Sequence, residues 1–599
     1  MPVVSLIVQK FGGTSVADAS KIRRAAERVM KARAQGHDVV VVVSARGKTT
    51  DDLIRDAAEL SDDPPPREMD ALLATGEQIT AALLAMTLES EGQPAISFTG
   101  GQAGIATDAS HSRARITTIE ADRIREQTAA GRVVVVCGFQ GVQSDGSITT
   151  LGRGGSDTTA TALAAALAAD ECEIYTDVTG VFTTNPKHVA TARRLEQISY
   201  DEMLELASLG AGVMHSRSVE FAKKYAVPLR VRSASEEGPG TLIGPESGEA
   251  RPVIGLALVE EESRVSLDDI PDQPGVLAAI FDCMAERRIP IDMVVQNVGH
   301  DRRARVSFTV PKDELEDAIA AAEQAIAAIG SGRVSVKAKL AKVSAVGRGM
   351  VDQAGVAARM FRSLAAAGIN VEMITTSEIK ISALVTQPEA IAALRATHEE
   401  FRLDQTVEPT LAVRGQGDDP LGEAVGRLVE MEDIVVSEVR VDRSQALVTL
   451  NRLPDVPGVV ATVLEAVAAA GIPVDMIVQN AGVDGRASLS LTIPRDRVGE
   501  CIRSVSDLGE QFAEMGTSSE AAIAKLTVDG VGLRSHTGVG RRLFAAVAES
   551  GANVLMVATS EVSVSAVLSD DASDAAARVV RERFGFTGPT ASAGTELRT

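Results

Sequence analysis

The chain has 599 residues, 82 acidic against 60 basic side chains, a net charge of −22 and 45% hydrophobic content. That length predicts several domains, and the balance excludes a disordered chain. The absence of basic patches excludes a nucleic-acid binder, and aliphatic runs such as Val39 to Val43 fall far short of the ~20 residues that cross a bilayer.

Residues 1–245 carry a net −6 and residues 246–599 a net −16. The N-terminus shows no basic flank or small-residue cleavage site, so no secretory signal is expected. Cys137, Cys172, Cys283 and Cys501 form no metal-type pair, and no metal site is expected from them. A reduced, cytoplasmic protein follows as the expectation.

Strands are expected at 3–8, 38–43 and 132–137, separated by helical stretches, which predicts an α/β domain with a largely parallel sheet over 1–245. The first strand runs into Lys10-Phe-Gly-Gly-Thr-Ser15, ahead of a helix expected from Asp18 or Ser20. Paired glycines let backbone N–H groups approach an anion, and the lysine adds a point charge for a phosphate. After the second strand, Ser44 to Thr50 contains Gly-Lys-Thr, but Val42 stands where a P-loop needs its first glycine, so that reading is rejected. A polar loop at a strand's carboxyl end is still where an α/β sheet places its ligand.

Leu151-Gly-Arg-Gly-Gly-Ser-Asp-Thr-Thr159 is a second glycine-rich loop, followed by an apolar helix expected from Thr158 to Ala169. Arg153 can clamp a carboxylate through two parallel hydrogen bonds, while Gly154, Gly155 and Ser156 offer backbone donors. Ser156 or Asp157 can equally serve as a helix N-cap. The stretch from Glu236 to Gly248, rich in Gly, Pro and charge, reads as a linker.

Beyond it the sequence repeats. Pro290-Ile-Asp-Met-Val-Val-Gln-Asn297 recurs as Pro473-Val-Asp-Met-Ile-Val-Gln-Asn480, and Asn370 to Ser382 recurs as Asn553 to Ser565, both at an offset of 183. Asp272-Gln-Pro-Gly-Val276 is echoed 80 residues on by Asp352-Gln-Ala-Gly-Val356, and Pro457-Gly458-Val459 by Thr537-Gly538-Val539. A two-part segment has therefore been duplicated whole, giving four units. Apolar spacing at Val276, Ala279, Ile280, Cys283 and Met284 predicts a helix, Pro290–Val295 and Arg305–Val310 predict strands, and 314–329 a second helix. The pattern is βαββαβ, a ferredoxin-like α+β sandwich.

Lys10 to Ser15, Ala74-Thr-Gly-Glu77, Leu151 to Asp157 and Tyr175-Thr-Asp-Val-Thr-Gly-Val-Phe-Thr-Thr-Asn-Pro-Lys187 stand in the order that resembles the aspartate kinase family, and the four units resemble ACT domains. The resemblance implies an amino-acid-kinase fold over 1–245 and ACT units at 262–340, 341–420, 444–524 and 525–599. It implies ATP-dependent phosphorylation of the β-carboxylate of L-aspartate, with Mg²⁺, and no nucleic-acid or membrane partner. By motif, Lys10 would neutralise the transferring phosphoryl group beside the Gly12 and Gly13 N–H groups. Arg153 would hold the substrate α-carboxylate and Glu77 its ammonium, with Ser44, Thr50, Gly154, Gly155 and Ser156 completing the pocket and Asp157 orienting the lysine. Phe11, Tyr175, Thr176, Asp177, Phe182, Thr183, Thr184, Asn185, Pro186 and Lys187 would line the nucleotide. A carboxylate acceptor is already ionised, so no general base is required.

The resemblance also implies feedback control by lysine, threonine or both, and a homo-oligomer formed through ACT pairing. Asp272, Gly275, Ile291, Asp292, Gln296 and Asn297 would form one effector site; Asp455, Gly458, Val474, Asp475, Gln479 and Asn480 would form its copy. The second and fourth units lack the proline and the Pro-x-Asp-Met pattern, and they serve either as structural partners or complete the sites from across an interface.

Plainer readings stand beside these. Glu77 is a solvated helix residue, Asp177 caps a turn, Lys187 is an exposed loop lysine, Gly275 and Gly458 only permit a turn, and His215 and Arg217 lie on a helix surface or link catalysis to regulation. Another amino-acid kinase, acting on glutamate or acetylglutamate, is the competing enzyme; a catalytically dead amino-acid sensor is the competing binding protein. ACT-like sequence running almost to Thr599 leaves no room for a fused dehydrogenase.

Overall fold

The computed structural model describes residues 5–586 apart from 211–212, 247, 250, 299–302, 351–352, 354, 408–429, 434, 484, 513, 532 and 534–537. In the N-terminal domain eight strands form one sheet, in the order Gln197–Ser199, Thr241–Gly244, Leu229–Ser233, Glu171–Thr176, Leu6–Phe11, Asp38–Val43, Val133–Cys137 and Ala95–Phe98. Each neighbouring pair is parallel except Leu229–Ser233 with Thr241–Gly244. Val39 to Val43 and Val133 to Val136 are fully buried, as continuous β-branched runs are when helices cover both faces of a sheet. The expected parallel α/β architecture is found.

Two local expectations change. Thr241–Gly244, inside the stretch read as a linker, is a strand of this sheet, and Arg28 donates to the Glu236 carbonyl (2.8 Å). Only the chain after Gly244 leads out of the domain. The helix after the arginine loop is Gly155–Leu167, and its N-cap is Gly154 at φ 73° rather than Ser156 or Asp157. A left-handed entry without a side-chain cap frees both polar residues for other partners. Asp18, by contrast, does cap Ala19–Ala34, accepting from Lys21 N–H at 3.0 Å.

The stretch Pro66–Ser90 is long and apolar enough by composition to cross a bilayer. It is in fact two helices, Pro66–Leu73 and Thr75–Ser90, whose Leu73, Ala81, Leu84 and Leu88 are buried.

Residues 255–583 build four units of one topology, each a four-stranded sheet backed by two helices. Numbering the strands of a βαββαβ unit one to four, every sheet runs 4-1-3-2. Unit one uses the distal part of Gly255–Pro271, then Asp292–Val298, Arg303–Pro311 and the proximal part of Arg333–Val346. Unit two uses the distal part of Arg333–Val346, then Met373–Ser377 and Lys380–Thr386; its fourth strand is 255–259, which precedes unit one in the chain. Unit one is thus inserted into unit two. The copy repeats this design: unit three (Gln445–Pro454, Ile477–Val483, Arg486–Pro494, Gly516–Glu520) is inserted between Val435–Asp442 and the rest of unit four (Ile523–Val531, Val554–Thr559, Ser563–Ser569). Strictly tandem units, as expected at 341–420 and 525–599, are therefore corrected. The reason is physical: a fourth strand pairs with its first strand wherever in the chain it lies.

The units pair inside one chain. Units two and three join into a continuous sheet through Ile374 with Gln479 and Thr375 with Val478. Units one and four meet where Gln296 Nε2 donates to the Val554 carbonyl (2.8 Å) and Phe281 packs on Phe544 at 4.5 Å.

Both copies also grip the catalytic domain. Glu205, fully buried in Tyr200–Ser208, pairs with Lys380 of unit two (2.9 Å) and accepts from Glu561 N–H of unit four (2.8 Å). Desolvation raises the Glu205 carboxyl above its ordinary range.

Candidate active site and regulatory pockets

Three parallel strands, Leu6–Phe11, Asp38–Val43 and Val133–Cys137, end at one place, and the polar loops that follow them converge there. Lys10, the penultimate residue of the first strand, is buried and forms an ion pair with Asp157 (2.5 Å) in the first turn of Gly155–Leu167. A Cβ on Gly12 would stand 3.4 Å from Lys10 Nζ, so the ammonium sits directly against the glycine turn. At Gly13 an added Cβ would meet the Ala45 carbonyl at 2.7 Å, and Gly47 N–H donates to the Gly13 carbonyl (3.0 Å). The Lys10 and Ser44 loops are locked together because these positions are glycine.

Glu77 enters from the first turn of Thr75–Ser90 and is 3% exposed. Its Oε1 accepts from Ala45 N–H at 2.9 Å, while its Oε2 is buried without a partner among the described residues. Burial pushes the carboxyl up to about 7. A buried acceptor held open in this way suits a cationic group that arrives with a ligand. The solvated-face reading of Glu77 is thereby corrected.

Arg153 lies at the tip of its loop, between Gly152 (φ 76°) and Gly154 (φ 73°). It is exposed and makes no ion pair among the described residues, and it lines a cleft with His111, Arg113, His215 and Arg217. A Cβ on Gly154 would come within 2.3 Å of the His215 side chain. Ser156 is buried against Gly138, where an added Cβ would stand 2.7 Å from its hydroxyl. Lys10, Gly12, Gly13, Glu77 and Asp157 thus meet through these contacts where the strands end, whereas the cleft that Arg153 lines runs along Leu151, His215, Arg217 and Glu432 and is lined by none of those five. Thr50 is half-buried in the first turn of Thr49–Ala58.

The expected nucleotide residues divide. Phe11 and Tyr175 stack at 4.8 Å, both buried, and the Tyr175 hydroxyl donates to Glu173 (3.0 Å). Those two rings are core under the strand ends, not cleft surface. Thr176, Asp177, Asn185, Pro186 and Lys187 are half-buried or exposed, as lining residues must be. Phe182 bridges Arg194, and the chain from there turns into the interface with the regulatory half. Thr183 and Thr184 are buried; the Thr183 hydroxyl contacts His398 at 3.2 Å and accepts from Arg193 N–H, and its carbonyl accepts from Leu256 N–H. Thr183 is corrected from a nucleotide residue to an interface residue.

The regulatory expectations divide as well. At one pocket Asp272 Oδ1 accepts from Asn553 Nδ2 of unit four (2.8 Å), and Gly275, Gln296 and Val554 line the same space. Its counterpart joins Asp455 to Asn370 Nδ2 of unit two (3.0 Å), lined by Gly458, Gln479 and Val371. Gln296 Oε1 and Gln479 Oε1 are buried and without a partner among the described residues. Asp292 is instead bound by Lys342 Nζ and Asp475 by Lys525 Nζ (2.5 Å), equivalent ion pairs to the next unit's first strand. Asn480 accepts from Ser307 of unit one (2.8 Å). These three are structural partners, not members of the two pockets. Ile291 lines a separate apolar pocket between units one and four, and Val474 and Asp475 line its counterpart between units two and three. The side chain of Asn297 lies outside the described residues. Asn370 and Asn553, which mark the two departing units, were missed as pocket residues; their shared 183-residue spacing was the available signal.

The Glu77 carboxyl carries a pH prediction. Only its ionised form can hold an ammonium, so capture strengthens as pH rises through about 7 and weakens below it. The kcat/KM for an ammonium-bearing acceptor should show this limb. Glu77→Gln should lower kcat/KM and flatten the limb; an unchanged limb in the variant would assign it to another group.

A parallel sheet with glycine loops and a lysine at its carboxyl edge, joined to paired ferredoxin-like units, defines an amino-acid kinase with a sensory half. Residues 5–233 match the model of the Amino acid kinase family, and 268–326, 343–401 and 526–584 match the ACT domain. Aspartokinase 2 of Bacillus subtilis is 50% identical over 404 residues, covering 67% of this chain and 99% of that protein. The crystal structure of aspartate kinase from Synechocystis is 37% identical with a TM-score of 0.52, covering 98% of this chain and 99% of that one. The crystal structure of E. coli aspartokinase III in complex with lysine and aspartate is 25% identical, TM-score 0.53, covering 66% and 99%. The chain belongs to the aspartate kinase family. Its activity is the ATP-dependent phosphorylation of the β-carboxylate of L-aspartate to 4-phospho-L-aspartate, the entry step towards lysine, threonine, methionine and diaminopimelate.

Proposed function

We propose that Lys10 and the Gly12–Gly13 amides hold the transferring phosphoryl group, that Arg153 binds the α-carboxylate of aspartate, and that Glu77 receives its ammonium. The supporting observation is the ion-paired lysine against a glycine turn, beside a buried carboxylate oxygen without a partner among the described residues, with the exposed Arg153 four residues before the Asp157 that holds the lysine. An oxygen of the β-carboxylate attacks the γ-phosphorus in line, the bond to the bridging oxygen of ADP breaks, and an acyl phosphate forms. Charge on the equatorial oxygens is met by Lys10 and backbone donors. Ser44, Thr50, Gly154, Gly155 and Ser156 shape the acceptor pocket, and Asp157 fixes the lysine. The nucleotide lies against Thr176, Asp177 and the Asn185–Lys187 turn.

Among the described residues no cluster of three or more His, Cys, Asp or Glu could hold a metal alone. Mg²⁺ would be carried in by the nucleotide phosphates and water and would neutralise phosphate charge.

Residues 445–520 with their shared strand order are a further ACT domain, which makes four. The pockets around Asp272 and Asp455 bind amino-acid effectors, lysine and threonine. In each the Asp takes the ligand ammonium, the helix start after Gly275 or Gly458 takes its carboxylate, and the unpartnered glutamine oxygen takes a remaining donor. The E. coli enzyme's complex with lysine supports an effector of this class. Calorimetry of the full chain with lysine and with threonine tests this. Asp272→Ala and Asp455→Ala should each remove one binding event and leave the other; unchanged stoichiometry in both variants would refute it.

A further inference from the structure

Arg217 was a residue the kinase motifs did not absorb, and the structure gives it three partners on three segments. It lies in the first turn of Ser216–Lys224, half-buried. Its Nη1 donates to the Leu151 carbonyl, at the root of the arginine loop. Its Nη2 donates to the Ala114 carbonyl (3.1 Å), and its Nε and Nη2 both reach Glu432 Oε1, at 2.9 and 2.6 Å. The other oxygen, Glu432 Oε2, accepts from Ile116 N–H at 2.5 Å. One carboxylate therefore orients the fork that holds the loop two residues before Arg153.

Glu432 does not belong to the catalytic domain. It sits between the first regulatory copy and the strand Val435–Asp442, which completes the sheet of unit four. The short segment around it is sewn to the catalytic domain. Met431 N–H donates to the Thr117 carbonyl (2.8 Å), and the Met431 carbonyl accepts from Lys224 Nζ (2.5 Å) and Tyr225 (3.0 Å). Lys224 Nζ also donates to the Asp433 carbonyl (2.8 Å).

We propose that Glu432 is a positioning residue for the aspartate loop: acting through Arg217, it holds Leu151 and so sets the place of Arg153. The inference rests on the reading that the Leu151–Asp157 loop binds aspartate. Gly152 and Gly154, both left-handed, leave the loop little stiffness of its own, so an external anchor decides where the guanidinium lies. A carboxylate with one oxygen accepting two guanidinium N–H groups and the other held by Ile116 N–H is an anchor fixed in direction as well as distance. A shift of unit four would reach the aspartate loop through Glu432, which lies three positions before the first residue of the strand Val435–Asp442.

Steady-state kinetics of the full chain tests it. Glu432→Ala should raise KM for aspartate about 5- to 20-fold, the cost of one charge-assisted contact, with kcat and KM for ATP within about twofold. Glu432→Asp should recover most of the loss. Arg153→Ala runs beside them: if it leaves KM for aspartate unchanged, the loop reading fails and this inference with it. If Arg153→Ala raises that KM and Glu432→Ala does not, the positioning role alone is overturned. It is equally overturned if Glu432→Ala moves both KM values and kcat together, as a merely structural residue would.

Discussion

Lys10→Ala is expected to lower kcat by about 10³-fold or more, the range seen when a group that stabilises transition-state charge is removed from a preorganised site. The expectation follows from position. Lys10 is buried, ion-paired to Asp157 at 2.5 Å and set against the Gly12 turn, so its charge is already aimed before ligands arrive. The variant would also leave Asp157 facing incoming phosphate without its counter-ion. KM for aspartate should change far less than kcat, since aspartate is held by other groups. Rapid measurement of ADP release at saturating substrates reads the effect; a kcat within about tenfold of wild type would remove Lys10 from the transfer step.

Arg153→Ala should raise KM for aspartate by about 10²-fold, because two parallel charge-assisted hydrogen bonds are worth roughly 3 kcal/mol together. The guanidinium is exposed and makes no ion pair among the described residues, so the variant breaks no internal contact and its fold should survive. Arg153→Lys should recover only part of the loss, since an ammonium cannot form the fork. A KM unchanged in the alanine variant would show that the α-carboxylate is held elsewhere.

The sequence carried the catalytic half well because its chemistry is local. Lys10, the paired glycines, Glu77 and the Arg153 loop each lie within a short motif at a strand or helix end, and the Lys10–Asp157 pair ties the two glycine loops together. The interior was harder to read. Phe11 and Tyr175 sit inside motifs yet turn inward to stack on each other, and only the pleat of the finished sheet decides which way each points. Thr183 belongs to the interface with His398, a partner 215 residues away.

The regulatory half shows the same divide. An offset of 183 exposed the duplication, but not that unit one is threaded into unit two. Residues 255–259 and 438–442 stand at that offset and were the available signal. Asp292 and Asp475 repeat faithfully and look like ligand residues. Their repetition instead preserves the Lys342 and Lys525 ion pairs, and a lysine 50 residues further on carries no local mark of its partner. Asn370 and Asn553 marked the departing units, and the departure is what completes the pockets from across each interface.

The central claim is that this cleft phosphorylates the side-chain carboxylate of aspartate. Incubating the full chain with ATP, Mg²⁺ and hydroxylamine, with L-aspartate, L-glutamate or N-acetylglutamate in turn, tests it most directly. The account predicts one β-hydroxamate per ADP released with aspartate and negligible product with the other two. Equal or faster hydroxamate formation from glutamate or acetylglutamate, or ADP release without any hydroxamate, would contradict it.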